Sequence, residues 1–301
     1  MCAKKTDRQI AKLFPVDSPP AVLNEVKEIL RRISSGFNTV AIDHVFDDVN
    51  RLYNGIYPGY RACNTGYHDL RHANDTFLAM ARLIHGAVID GEQLTERQIT
   101  LGLIAAIFHD AGYIQEKSDR QGTGAKYTAI HEQRSMDFLS RHGAEYGLSP
   151  EEIAAGRTII LCTDFDVDIA DLSFASYQIE LLGKMLAAAD LMAQLADPMY
   201  LEKLQFLHRE FRESGMGNYE SELDILQKAV VFYDIFDHRI QTKLGAVDRF
   251  MGLHFHSRWG MRGNLYQEMI VRQKKYLLKI LKIPGFDPRK FFRRGRCLKD
   301  I

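Results

Sequence analysis

The chain has 301 residues, 46% of them hydrophobic and 26% charged, with 39 Lys+Arg against 39 Asp+Glu. That length can bury a large core, and the neutral balance argues against a protein built mainly to grip a nucleic-acid polymer or an anionic membrane. Four cysteines, Cys2, Cys63, Cys162 and Cys297, form no CxxC pair, so neither a thiolate zinc finger nor a redox dithiol is indicated.

In chain order the pattern predicts helices almost throughout. Met1 to Arg8 lacks the apolar core of a signal peptide, and no run reaches the roughly 18 apolar residues of a membrane span. A cytoplasmic protein with reduced thiols is the expectation. Val22 to Ile33 reads as one helix and Ala41 to Tyr53 as a second. The Gly- and Tyr-rich stretch Gly55 to Gly66 reads as an ordered loop, and Asn54-Gly55 lacks the flanking alternation of a hairpin. Leu70, Ala73, Phe77, Met80 or Ala81, and Ile84 recur at helical spacing, with Gly86 as the expected end. Thr95-Glu96-Arg97-Gln98 opens another helix with a capping-box pattern, and that helix is expected to stop near Gly112. The polar segment Gln115 to Ala125 is expected to form a mobile loop over a site. A helix from about Lys126 to His142 follows. Ser149-Pro150-Glu151-Glu152 opens the next, with a cap residue and proline at the first helical position. Tyr177 to Ala196 forms a helix that ends before Asp197-Pro198, and Glu213 to Asn218 interrupts the later helices. No sustained strand alternation and no internal repeat appears. The predicted fold class is all-α, one helical domain over 1–301, with a core at about 60–200 flanked by N-terminal (1–59) and C-terminal (201–301) helices.

The chemistry concentrates in a few residues. His68 and His72 stand four apart, on one face of a helix. His109-Asp110 ends the apolar run Leu103-Ile104-Ala105-Ala106-Ile107-Phe108, where a buried carboxylate is costly unless something binds it. Asp190 lies among the apolar residues Ala187-Ala188-Ala189 and Leu191-Met192 and poses the same problem. Taken alone, Asp190 reads more readily as a cap or an exposed residue; taken together, the imidazoles and carboxylates suit a divalent cation shared with phosphate oxygens and water. The pattern points to metal-assisted hydrolysis. Trp259 with His254 and His256 reads as an aromatic packing cluster. The basic tail Arg289 to Arg296 reads as a solvated end docked by Phe291 and Phe292.

The order His, then His-Asp, then a later Asp within helices resembles the HD-domain metal-dependent phosphohydrolase superfamily. Tyr67-His68-Asp69-Leu70-Arg71-His72-Ala73 is similar to the Tyr-His-Asn-x-x-His-Ala motif of the class I cyclic nucleotide phosphodiesterases. Cys162-Thr163-Asp164 resembles their Ala-Thr-Asp segment, and Ala189-Asp190-Leu191 resembles their Ala-Asp-Leu segment. The likeness spans Tyr67 to Pro198. It implies a phosphodiesterase-like helical bundle that hydrolyses a small phosphorylated substrate, a cyclic nucleotide, with two divalent metal ions (Zn, Mn, Mg, Fe or Ni). By that resemblance His72, His109, Asp110 and Asp190 hold the first metal and Asp110 bridges to the second. His68 is the general acid for the leaving oxygen, a role that suits an imidazole. Two departures stand out. The family's Asn is Asp69 here, a carboxylate expected to orient His68. The family's histidine three residues after the doublet is Tyr113 here, and His131-Glu132 is the expected compensation at the second metal. Gln227 and Phe232 are the candidates for holding a purine. Three alternatives stay open: an HD nucleotide phosphohydrolase or phosphomonoesterase on another substrate, a non-catalytic HD module binding a nucleotide or a partner, and an HD-type di-iron oxygenase.

Overall fold

The computed structural model describes residues 18–217 and 219–288. Met1 to Arg8, Cys2, Cys297 and the basic tail lie outside them. The described residues form eleven α-helices and no strand, apart from an isolated bridge between Tyr60 and Glu116. The fold is an all-α bundle, as the periodicity predicts.

Several helices begin where a side chain takes one of their orphaned N–H groups. Helix α1 covers Pro19–Ile33 and opens with proline. Helix α2 covers Val40–Tyr53. Helix α3, Leu70–Asp90, is capped by Asp69, whose side chain accepts from the His72 backbone N–H. Both expected capping boxes form: Thr95 with Gln98 at the start of α4 (Glu96–Phe108), and Ser149 with Glu152 at the start of α6 (Pro150–Leu161). Each such cap contributes about 1 kcal/mol. Helix α7, Tyr177–Ala196, starts and stops where the sequence places it. Helices α8 (Tyr200–Ser214), α9 (Glu222–Thr242), α10 (Arg249–Trp259) and α11 (Leu265–Ile280) follow.

Helix α1 begins at Pro19, three residues before the expected Val22, and three further boundaries differ from expectation. Helix α3 runs past Gly86 and ends at Gly91, in the left-handed region at φ 104°. Gly86 serves packing instead: a Cβ there would lie 1.9 Å from the Phe250 carbonyl oxygen of α10. Helix α4 stops at Phe108, and a separate 3-10 turn, Ala111–Tyr113, carries the chain past the doublet. The predicted helix from Lys126 is a 3-10 segment, Gly124–Ile130, followed by the true α5, His131–His142.

Helix α3 is the axis of the bundle. Residues His72 to Ala87 are all buried, and α1, α4, α7 and α10 pack around it. Helix α4 is likewise buried from Ile99 to Phe108 on every face, which is why its sequence reads as a continuous apolar run rather than a stripe. Ala187, Ala188 and Ala189 bring α7 close to these two. The N-terminal end of α3, the C-terminal end of α4 and the middle of α7 therefore meet inside the protein.

Candidate metal centre

That meeting point gathers the residues singled out by the sequence. His72 comes from the first turn of α3, His109 and Asp110 follow α4, and Asp190 projects from α7. His72 Nε2 lies 3.2 Å from His109 Nε2, 3.3 Å from Asp110 Oδ2 and 3.0 Å from Asp190 Oδ1. His109 Nε2 lies 3.4 Å from Asp110 Oδ2 and 3.6 Å from Asp190 Oδ1. One ligand atom from each of His72, His109 and Asp110 falls within 4.8 Å of the others, a buried cluster that could hold a metal ion.

Hydrogen bonding tests that fit. His109 Nδ1 donates to the Ala106 carbonyl at 2.8 Å, which leaves Nε2 of the neutral ring as a lone pair aimed at two carboxylates. Asp110 Oδ2 is buried without a hydrogen-bond partner. Lone pairs converging on one point call for a cation between them. Without a metal, protons fill that role. Burial alone would lower His72, but Asp110 and Asp190 raise it to about 9, and His109 is raised well above its ordinary value against burial by the same two carboxylates. Burial would raise both acids, yet the imidazoles hold Asp110 and Asp190 well below the usual carboxylate range.

His131, the first residue of α5, stands on the other side of Asp110. Its Nδ1 donates to the Thr128 carbonyl at 2.7 Å, and its Nε2 lies 3.5 Å from Asp110 Oδ1. The two oxygens of Asp110 thus face different imidazoles. Glu132 follows His131 in α5, and burial together with Asp164, Asp110 and Asp190 pushes it up to about 8. Tyr113 is the spacer. Its ring stacks on His68 at 4.3 Å and on His131 at 4.5 Å, with its hydroxyl buried.

His68 sits apart from the cluster. Its Nδ1 is 2.7 Å from Glu210 Oε2, while Glu210 Oε1 accepts from the Tyr67 backbone N–H, also at 2.7 Å. Glu210, from α8, therefore takes the orienting role expected of Asp69. Asp69 is committed elsewhere, capping α3 at 2.9 Å from the His72 N–H and facing Lys203. Lys203 and Arg71 also meet Asp197, at 3.2 and 3.4 Å, and this ionic network ties α8 to the start of α3. No sequence motif marks Glu210: it is one acid among several on a charged helix. Gln194 is a second residue the motifs do not reveal. Its amide donates to Asp190 Oδ1 at 2.7 Å and accepts from the Tyr67 hydroxyl at 3.0 Å.

A cavity of about 540 Å³ opens beside the cluster, lined by His68, Asp110, His131, Glu132 and Asp190 at one end. Thr163 and Asp164 also line it, on a loop held by Arg239 of α9, which donates to the Asp164 and Phe165 carbonyls at 2.9 and 2.8 Å. Phe232 lines the cavity and packs against Phe165. Gln227 does not meet its expectation: it is exposed and outside the lining, because the α9 face turned to the cavity carries Ile225, Lys228, Ala229 and Phe232. The segment 115–125 does not cover the cavity either. Arg61 N–H donates to the Gln115 carbonyl, Lys117 N–H to the Gly59 carbonyl and Gly124 N–H to Asn64, so this loop is stitched to the preceding one. His254 and Trp259 belong to an aromatic cluster around the buried Arg82, remote in character from the metal centre.

No helix among the described residues is long and apolar enough to cross a membrane. Comparison with curated proteins gives no match. A family model described as Npun_R2479-like matches residues 59–248, which include every residue of the centre described above. That match spans more than half of the chain, and the protein belongs to the Npun_R2479-like family.

Proposed function

We propose that the protein is a metal-dependent phosphohydrolase of the HD type. The observation that carries this reading is the pairing of a buried His72–His109–Asp110–Asp190 cluster with His68, which lies in the loop just before α3 rather than on the helix face with His72, anchored at Nδ1 by Glu210 at the wall of the same cavity. His72, His109, Asp110 and Asp190 would hold one divalent ion; Asp110 Oδ1 with His131 and Glu132 would hold a second. Such ions supply an acidified water and neutralise charge on phosphate oxygens. The chain supplies the rest. Glu210 accepts the Nδ1–H and orients the His68 ring, so that in the doubly protonated imidazolium Nε2–H is the proton given to the departing oxygen and the neutral, Nδ1-protonated ring is left behind. Tyr113 keeps that ring flat against the wall.

The exposed position of Gln227 leaves a cyclic nucleotide without its expected amide partner, so the proposal stops at phosphate ester hydrolysis. Metal analysis of the purified protein, with turnover of a panel of phosphate mono- and diesters, tests it. Asp110→Ala should remove metal and activity together. A metal-loaded protein inactive on the whole panel, but consuming oxygen with iron, would establish the oxygenase alternative instead.

A further inference from the structure

The cavity beside the candidate metal centre is polar at one end and largely apolar along the facing walls of α8 and α9, where the one charged lining residue, Lys228, is paired with Asp224 at 2.8 Å. Leu204, Leu207 and Phe211 fall at i, i+3 and i+7 of α8, and Ile225, Ala229 and Phe232 at i, i+4 and i+7 of α9. Those spacings put each trio on one face of its helix. Both faces border a space of about 540 Å³ that close packing would normally fill. Neither stripe carries a side-chain amide. Among the described lining residues the one side-chain amide, Gln194, has its nitrogen on Asp190 and its oxygen on Tyr67. A purine needs paired donors and acceptors in such a place, whereas a hydrocarbon needs none. The apolar lining also continues to the surface through Phe165, Val231 and Ile235, which are 40%, 58% and 44% exposed. A chain longer than the cavity therefore has apolar surface to leave along.

We infer that the substrate of this site is a phosphate ester whose organic part is a hydrocarbon chain, laid between α8 and α9 with its phosphate at the metal centre. The inference rests on the hydrolase reading for the reaction, but not for the ligand class.

The test uses the metal-loaded full chain and p-nitrophenyl diesters carrying a methyl, butyl or octyl group. Each methylene that enters the apolar stripe is worth up to about fourfold in kcat/KM, so the octyl ester should exceed the methyl ester by more than about tenfold. Leu207→Gln and Phe232→Gln should each flatten that rise. A flat series, a rise that survives both substitutions, or faster turnover of 3′,5′-cyclic AMP than of the octyl ester would overturn the inference. If no ester is cleaved, the hydrolase reading fails, and calorimetry with methyl-, butyl- and octylphosphonate decides the ligand class. Affinity that rises with chain length and falls in the two variants upholds the inference; equal affinity along the series overturns it.

Discussion

Glu210 closes on His68 across 142 positions of sequence, its Oε2 2.7 Å from Nδ1 of the ring. The contact joins the loop before α3 to α8, and the ion pairs of Lys203 and Arg71 with Asp197 link the same two helices. A carboxylate at Nδ1 fixes an imidazole's tautomer and aim without touching the substrate itself.

Removing that anchor should cost rate and spare the metal. Glu210→Gln keeps an oxygen for the Tyr67 N–H but loses the charge at Nδ1. It should lower kcat on an alkoxide-leaving ester by about 10²-fold with metal content unchanged. His68→Ala should lower it by about 10²–10⁴-fold, as for loss of a general acid. Both losses should shrink on a nitrophenyl ester, whose leaving oxygen needs little protonation. The double variant should be no worse than His68→Ala, because the two residues act as a unit. Equal losses on good and poor leaving groups would make the pair structural.

The candidate metal centre should show its protons on titration. In the metal-free protein the carboxylates of Asp110 and Asp190 raise His72 from 6.5 to about 9 against burial. A histidine raised on folding adds stability in full below pH 6.5 and loses it as the pH climbs through about 9. Chelator-treated protein should therefore melt at progressively lower temperature from pH 7 to 9.5. Metal competes with those same protons, so metal affinity should increase over that interval. Melting curves with and without metal check both trends; parallel curves would refute the assignment of the site.

Much of this candidate centre was legible in the sequence because its residues sit in helices or directly after one. His72 needs only the periodicity of α3, and His109-Asp110 only the end of an apolar run. What could not be read is what depends on how distant helices dock. Glu210 and Gln194 gain their roles from the contact of α8 and α7 with the loop before α3. Gln227 failed as a candidate because the rotation of α9 about its axis is set by packing, not by its own pattern. The Gly86 boundary failed for a related reason: close approach of α10, not a helix end, requires a glycine there.

Gly112 links the doublet to α5 in the same way. A Cβ at this position would lie 2.0 Å from the His131 carbonyl oxygen, so α5 would have to retreat. Gly112→Ala should destabilise the protein by about 1–3 kcal/mol, as overpacking does. It should also move His131 away from Asp110. Denaturant melts and metal stoichiometry measure the two effects, and an alanine variant with wild-type values for both would show that this approach is not required.

The last expectation concerns histidines that take no part in the site. His85 and His254 bury their rings together, with Nδ1 atoms 3.1 Å apart, on the side of α3 facing α10. Burial, followed for His254 by the nearby Arg82 and for His85 by Arg32, lowers them to about 2 and about 4. A histidine whose folded value is depressed binds its proton more readily in the unfolded chain. Its neutral form is then favoured above pH 6.5, and stability is lost as the pH falls from there towards the folded values. Each such group costs up to about 1.4 kcal/mol per pH unit in that window. His254→Gln cannot take up a proton and keeps an amide to pair with His85. Whatever its stability at pH 7.5, the variant should gain on the wild type by about 1–3 kcal/mol between pH 6.5 and pH 4. Chemical denaturation of both proteins at a series of pH values checks this. A difference that stays constant across the window would mean that His254 titrates normally and that the ring pair is open to water.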